Sequence, residues 1–112
     1  MNRNRIKKFD AVKGEDVLVR IEARYDGREA WVGLLQDVQV EVRTSPLELS
    51  PYTSGTFEID PEDPKYMFVK VDWDSVRWNL GNGLYIKVFG KDPTAGGLRK
   101  VVGEAEVWYK DF

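Results

Sequence analysis

The chain has 112 residues, of which 42% are hydrophobic and 32% charged, with a formal net charge of −2 at pH 7. This length corresponds to one domain, and the composition is that of a folded globular chain. The absence of cysteine and histidine excludes disulfide frameworks, Cys/His zinc sites, thiol nucleophiles and imidazole-based triads. The small negative charge gives no general attraction to nucleic acid, and no apolar run is long enough to span a membrane.

The first residues of the chain are basic, at Arg3, Arg5, Lys7 and Lys8. We interpret residues 1–11 as a basic N-terminal arm and residues 12–112 as a single β-sandwich domain, although the end of the arm also has the pattern of an opening strand near residues 6–12. The arm can be a solvated segment, can pair with an acidic partner surface, or can bind phosphate. Because no secretory signal precedes it, we expect the protein to be made in a cytoplasm and to stay soluble there.

Apolar and polar residues alternate from Val17 to Tyr25, which predicts a strand with one buried face. Asp26-Gly27 follows and is typical of a tight hairpin turn, so a short returning strand is predicted from Arg28 to Val32. The segment from Asp37 to Arg43 alternates without interruption, and its valines are expected to face a core.

From Thr44 to Pro64 four prolines surround one predicted strand at residues 55–59, and this segment is a candidate partner-binding loop or a protected sheet edge. Further strands are predicted at residues 66–72, 84–90 and 99–110. In the last of these, one face carries Val101, Gly103, Ala105, Val107 and Tyr109.

A short helical turn is predicted near residues 74–80, capped by Asp74 or Ser75, with Trp78 and Leu80 sealing it onto the core. Seven or eight short strands with turns between them indicate an all-β, two-sheet antiparallel β-sandwich. A closed barrel is the main alternative.

Two groups of carboxylates are the candidates for chemistry: Asp60, Glu62 and Asp63, and separately Asp72 and Asp74. Either group can be interpreted as a glycosidase pair or as calcium ligands. The ligand order of a calcium loop is missing, however, and nothing marks a carboxylate as buried with a raised pKa. We therefore predict a protein that is not an enzyme and that uses no metal and no cofactor.

The four tryptophans, Trp31, Trp73, Trp78 and Trp108, can stack on sugar rings, fill a core or anchor a protein interface. Large aromatics usually pack, so two or three of the four are assigned to the core. Trp108 is the best candidate for exposure, because the alternating pattern places it on a polar face with Glu104, Glu106 and Lys110. A carbohydrate-binding module is accordingly the alternative function.

Several short motifs follow one another along the chain in an order that can be compared with known families. They are Gly14-Glu15-Asp16, Asp26-Gly27, Leu35-Gln36-Asp37-Val38, Gly83-Leu84-Tyr85, and a final strand after a glycine hairpin. This order resembles the immunoglobulin-like N-terminal module of tailed-bacteriophage baseplate and tail structural proteins, of the upper baseplate protein type, although the proline-rich segment 44–64 departs from it. The resemblance implies an immunoglobulin-like fold and a non-enzymatic structural or adaptor role in a virion, in the tail, baseplate, neck or head-fibre attachment.

The partners that the resemblance implies are other virion structural proteins, in a multi-copy or homo-oligomeric assembly, without nucleic acid or membrane and with a possible glycan contact. We expect the two ends of the chain to make these contacts, by strand addition or by packing against a neighbour. The predicted interaction residues are Arg3, Arg5, Lys7, Lys8, Trp108, Tyr109 and Phe112.

Overall fold

The computed structural model describes residues 6–45, 47, 48, 50–79 and 81–110. Strands dominate this part of the chain. They are β1 (Lys7–Val12), β2 (Val17–Glu22), β3 (Arg24–Tyr25), β4 (Arg28–Glu29), β5 (Gln36–Arg43), β6 (Thr53–Ile59), β7 (Tyr66–Val71), β8 (Gly83–Lys91) and β9 (Arg99–Lys110). Within the described residues, helical structure is limited to one turn, α1 (Trp73–Val76), and to 3-10 turns at Val32–Leu34 and Pro93–Ala95.

Seven strands form one curled sheet in the order β1-β9-β8-β5-β6-β7-β2, and β3 with β4 forms a separate hairpin. The large sheet is nearly closed into a barrel, with β1 and β2 at its two ends. The all-β prediction is confirmed. The expected antiparallel pairing holds for every pair except β1 and β9, the first and last strands, which are parallel.

Strand β6 pairs with two different neighbours along its length. Its first half pairs with β5, from Val42 opposite Thr53 to Val40 opposite Gly55, and its second half pairs with β7 from Thr56 to Ile59. At the changeover a Cβ on Gly55 would lie 2.8 Å from the carbonyl oxygen of Lys70. The close approach of β6 to β7 at this point therefore requires glycine.

The core fills the interior of the curled sheet and follows the predicted alternation closely. All the inward positions predicted between residues 17 and 25 are buried, and the Asp26-Gly27 turn has positive φ at both residues (55° and 77°), as a tight hairpin turn requires. The fully buried side chains include Val42, Met67, Val69, Val71, Val76, Ile86, Val88, Val102 and Val107.

Strand β9 departs from simple alternation at one residue. Val88 lies opposite Gly103 and Phe89 opposite Val101, so Val102 is an extra residue in a β-bulge. Val102 is buried, whereas Val101 is 36% exposed. The prediction that Val101 shares one face with Ala105 and Val107 is therefore wrong, since those two residues are buried.

Three segment boundaries differ from the predictions. Residues 7–11, which were assigned to the arm, lie in β1 and pair with β9, so this stretch belongs to the sheet. The returning strand after the first hairpin covers only two residues, because Val32 begins a 3-10 turn. The helical turn begins at Trp73, one residue earlier than predicted, and ends at Val76.

Candidate protein interface

The outer side of β1, β9 and the start of β8 forms a surface that we call the tryptophan face. The sheet register assembles it: Lys8 lies opposite Glu106 and Asp10 opposite Trp108, while Glu106 lies opposite Tyr85 on the next strand. Side chains that are paired across neighbouring strands point to the same side of a sheet. The members of the tryptophan face are Lys8, Asp10, Glu106, Trp108 and Lys110, whereas Tyr85, opposite Glu106, is buried.

Trp108 is the centre of the tryptophan face, and the sheet below holds its indole in place. Its register partner is Gly83, where a Cβ would lie 3.6 Å from Cε3 of the indole and 2.6 Å from the carbonyl oxygen of Val107. The indole Nε1 donates a hydrogen bond of 3.3 Å to Glu106 Oε2, and the residue is 49% exposed. The side chain is thus positioned while half of it stays open to solvent, as predicted from its polar neighbours.

The charges of the tryptophan face are mixed. Lys110 forms an ion pair of 3.0 Å with Asp10, and Glu106 is engaged by the indole. Lys8 has no ion-pair or hydrogen-bond partner among the described residues, so its ammonium group is available to an acidic group of a partner. A large aromatic side chain surrounded by charges of both signs is typical of a protein interface.

Tyr109, adjacent to Trp108 in sequence, points to the opposite side of the sheet. Its ring packs edge-on against Trp73, with ring centroids 5.8 Å apart, and its hydroxyl is buried without a hydrogen-bond partner among the described residues. Burial raises the pKa of this hydroxyl. The structure therefore brings Lys8 and Trp108 together but places Tyr109 against the core.

The remaining predicted interaction residues are dispersed. Lys7 is on the side of β1 opposite to Lys8 and lines a cavity of about 200 Å³ between β2 and β9. Arg3, Arg5 and Phe112 lie outside the described residues.

The assignment of two or three tryptophans to the core is wrong. Only Trp73 packs against the core, whereas Trp31 and Trp78 are exposed, Trp78 by 73%. In α1 the buried residue is Val76, which lies three positions after Trp73 on the same side of the helical turn. Trp78 follows this turn and points outward, with the Arg77 guanidinium 4.8 Å from its ring centroid.

Four of the five carboxylates that are candidates for chemistry have structural partners, and of these Asp63 accepts a hydrogen bond from the Lys65 backbone. Asp60 is buried and accepts hydrogen bonds from Arg20 Nε at 2.8 Å and from the Glu62 backbone at 2.9 Å. The hydrogen bond from Arg20 is the largest influence lowering the pKa of Asp60, the opposite of what a general acid requires. Asp72 and Asp74 pair with Lys70 and Arg77, and in the described part of the chain no three Asp, Glu, His or Cys residues form a group suited to a metal ion.

A scan against protein-family models found no match to the chain, and a search of curated proteins also found none. None of the helices in the described part of the chain is long and apolar enough to cross a membrane.

Proposed function

We propose that the chain is a non-enzymatic binding module with an immunoglobulin-like fold, which assembles with other proteins through the tryptophan face. The observation that carries this proposal is the half-exposed Trp108 indole, held over Gly83 and bonded to Glu106. An exposed indole with a fixed orientation loses little entropy on binding, which is why tryptophan is enriched among interface hot spots.

The strand order supports the immunoglobulin-like part of the proposal. Strands β2 and β7 are neighbours in one half of the curled sheet, and β5, β8 and β9 are neighbours in the other. An immunoglobulin sandwich divides its strands in the same way, with B and E in one sheet and C, F and G in the other. In this comparison β6 passes from one sheet to the other at Gly55.

We further propose that the protein is a structural or adaptor component of a bacteriophage virion, present in several copies and in contact with other virion proteins. The resemblance of its motifs to phage baseplate and tail modules supports this part. The paired carboxylates are also consistent with a role that needs no catalytic acid.

Gradient-purified particles of the phage that encodes the chain would test the proposal. We expect the protein to co-sediment with the particles, and Trp108→Ala to reduce its incorporation at least about tenfold, as truncation of a hot-spot residue does. Trp78→Ala is the matched control, because it also removes an exposed indole but leaves the tryptophan face intact. Absence from particles would contradict the virion role, and equal effects of the two variants would contradict the role of the face.

Glycan binding by the same indole is a second candidate function. The carboxylates of Glu106 and Asp10 beside Trp108 are acceptors for sugar hydroxyls, and the indole supplies a stacking surface. A glycan array should then give signals that Trp108→Ala abolishes and Trp78→Ala retains. The absence of any signal with the unmodified protein would reject this candidate.

A further inference from the structure

The structure has a cleft between β5 and β6, which lie in the middle of the strand order, three strands or more from β1. The two strands pair only at Val40–Val42 and Thr53–Gly55, and beyond Gly55 strand β6 turns away to pair with β7. The resulting cleft has a volume of about 600 Å³. It is lined by Val38, Gln39, Val40, Glu41, Ser54, Gly55, Thr56 and Phe57.

Two strand edges border this cleft. In the described part of the chain, residues 36–39 of β5 and residues 56–59 of β6 have no strand paired to the sides that face each other. The β6 edge presents a row of backbone N–H and C=O groups that an added strand can pair with, whereas the β5 edge is interrupted by a bulge at Asp37, whose φ is 51°.

The floor of the cleft is apolar and incompletely covered. Val38 and Phe57 pack against the core but are only partly buried. Ile59 lies on the same face of β6 as Phe57 and opposite the fully buried Met67, yet it is 43% exposed. Inward-facing side chains are therefore open to solvent where β6 leaves β5.

The rim of the cleft on the β5 side carries Arg99, which hydrogen-bonds to the described residues through one guanidinium nitrogen. One guanidinium nitrogen of Arg99 donates to both Gln39 (3.3 Å) and Glu41 (3.2 Å), and the group stacks 3.7 Å above the Phe89 ring. Glu41 also accepts a hydrogen bond from Arg43, through its other carboxylate oxygen, so two guanidinium groups share one carboxylate. The opposite wall carries the acidic Glu58, which disfavours a second carboxylate on that side.

We propose that this cleft binds an extended segment of a partner protein by strand addition. The segment places apolar side chains against Val38, Phe57 and Ile59, and one carboxylate beside Arg99. The free strand edges select an extended backbone, the open floor selects apolar residues at alternate positions, and the excess of guanidinium groups selects the acidic residue. The cleft is separate from the tryptophan face, so this inference goes beyond the proposed function.

A titration with two capped pentapeptides, Val-Glu-Val-Thr-Val and Val-Lys-Val-Thr-Val, followed by NMR amide shifts, tests the proposal. We expect saturable shifts in β5 and β6 with the glutamate peptide, at a Kd of about 1 mM or below. Arg99→Glu should weaken its binding about fivefold, the effect of a partly exposed ion pair, and should improve binding of the lysine peptide by a similar factor. Lys8→Glu, with the same charge change on β1, three strands from β5, and Trp108→Ala should leave both titrations unchanged.

A second pair of variants tests the apolar floor of the cleft. Ile59→Asn should weaken binding of both peptides, whereas Leu18→Asn, at another exposed apolar residue, should not, with circular dichroism confirming that each variant folds. The absence of saturable shifts at about 5 mM peptide would overturn the proposal, as would equal affinity for both peptides in the unmodified protein. Arg99-dependent binding of heparin fragments without peptide binding would indicate a polyanion site and would also overturn it.

Discussion

Gly103 in β9 is the position where one added methyl group should disturb the core most. An ideal Cβ there would lie 2.7 Å from Cγ2 of Ile21, at the point where β9 and β2 face each other across the interior. Carbon atoms in contact prefer about 3.5–4.0 Å, so the isoleucine or one of the strands must move. We expect a cost of about 1–3 kcal/mol from overpacking, offset by about 0.4–1 kcal/mol from the restricted unfolded chain. Gly103→Ala should therefore lower the free energy of unfolding by about 1.3 kcal/mol at the middle of these two ranges, and by no more than about 2.6 kcal/mol.

Urea unfolding followed by circular dichroism measures this change, and Gly90→Ala is its matched control. A Cβ at Gly90, on the neighbouring strand β8, would meet Val102 at 3.5 Å, which is ordinary contact. We expect Gly90→Ala to retain or slightly raise the stability of the unmodified protein. A Gly103→Ala variant as stable as Gly90→Ala would refute the steric argument.

Substitutions at Ile21 test whether its Cγ2 methyl group causes the loss of stability in Gly103→Ala. Valine keeps the Cγ2 methyl group, so the effects of Ile21→Val and Gly103→Ala should add within about 0.5 kcal/mol. Alanine removes Cγ2 and costs about 2–5 kcal/mol by itself, but it should recover about 1–2 kcal/mol when combined with Gly103→Ala. Each Ile21 variant forms a double-mutant cycle with Gly103→Ala. If the coupling energy were equal in the two cycles, the contact with Cγ2 would not be the cause of the lost stability.

Three further predictions concern the polar and aromatic groups. Hydrogen bonding from Arg20 lowers the pKa of Asp60, so the ionised carboxylate stabilises the folded state. This stabilisation is present above the ordinary aspartate pKa of 3.8 and is lost as the pH falls through the lowered native pKa. The melting temperature of Asp60→Asn should thus lie below that of the unmodified protein at pH 7, and the difference should shrink as the pH falls below 3.8. Tyr109→Phe removes a buried hydroxyl without a described partner, so it should change the melting temperature by less than about 4 °C at pH 7. Since burial raises the tyrosine pKa, the same variant should lose less stability above about pH 10. In acrylamide quenching, Trp78→Phe should remove a strongly quenched component of the fluorescence and Trp73→Phe a protected one.

Period-two alternation was sufficient to predict most strands and much of the core. It succeeds in β2 and β5 because one face of each strand is buried and the other solvated, so the sequence carries the pattern directly. It fails at Val101-Val102 in β9, because two adjacent valines satisfy either phase and only the pairing with β8 reveals the bulge. The parallel pairing of β1 with β9 cannot be predicted from local sequence patterns, because it joins strands from the two ends of the chain.

Period-two alternation in β9 also predicts part of the candidate interface. Trp108 lies between Glu106 and Lys110 on a polar face, so its exposure follows from alternation, and the opposite orientation of Tyr109 follows from the same rule. Trp78 was misassigned because the orientation of side chains in a short helical turn depends on where the turn begins. The turn begins at Trp73, and this places Val76 inward and leaves Trp78 to point away from the core.

The fold and the β5–β6 cleft have a common origin at Gly55. There β6 approaches β7 so closely that a Cβ would lie 2.8 Å from the Lys70 carbonyl oxygen, and this approach draws the rest of β6 away from β5. The cleft is closed at one end by the pairing of Val40 with Gly55. Towards the other end of β6, the 3-10 turn lies against Ile59, where a Cβ at Gly33 would be 3.5 Å from Ile59 Cδ1. Because backbone pairing fixes one end of the cleft and a packed side chain borders the other, the unpaired edges of β5 and β6 are preorganised for a partner strand.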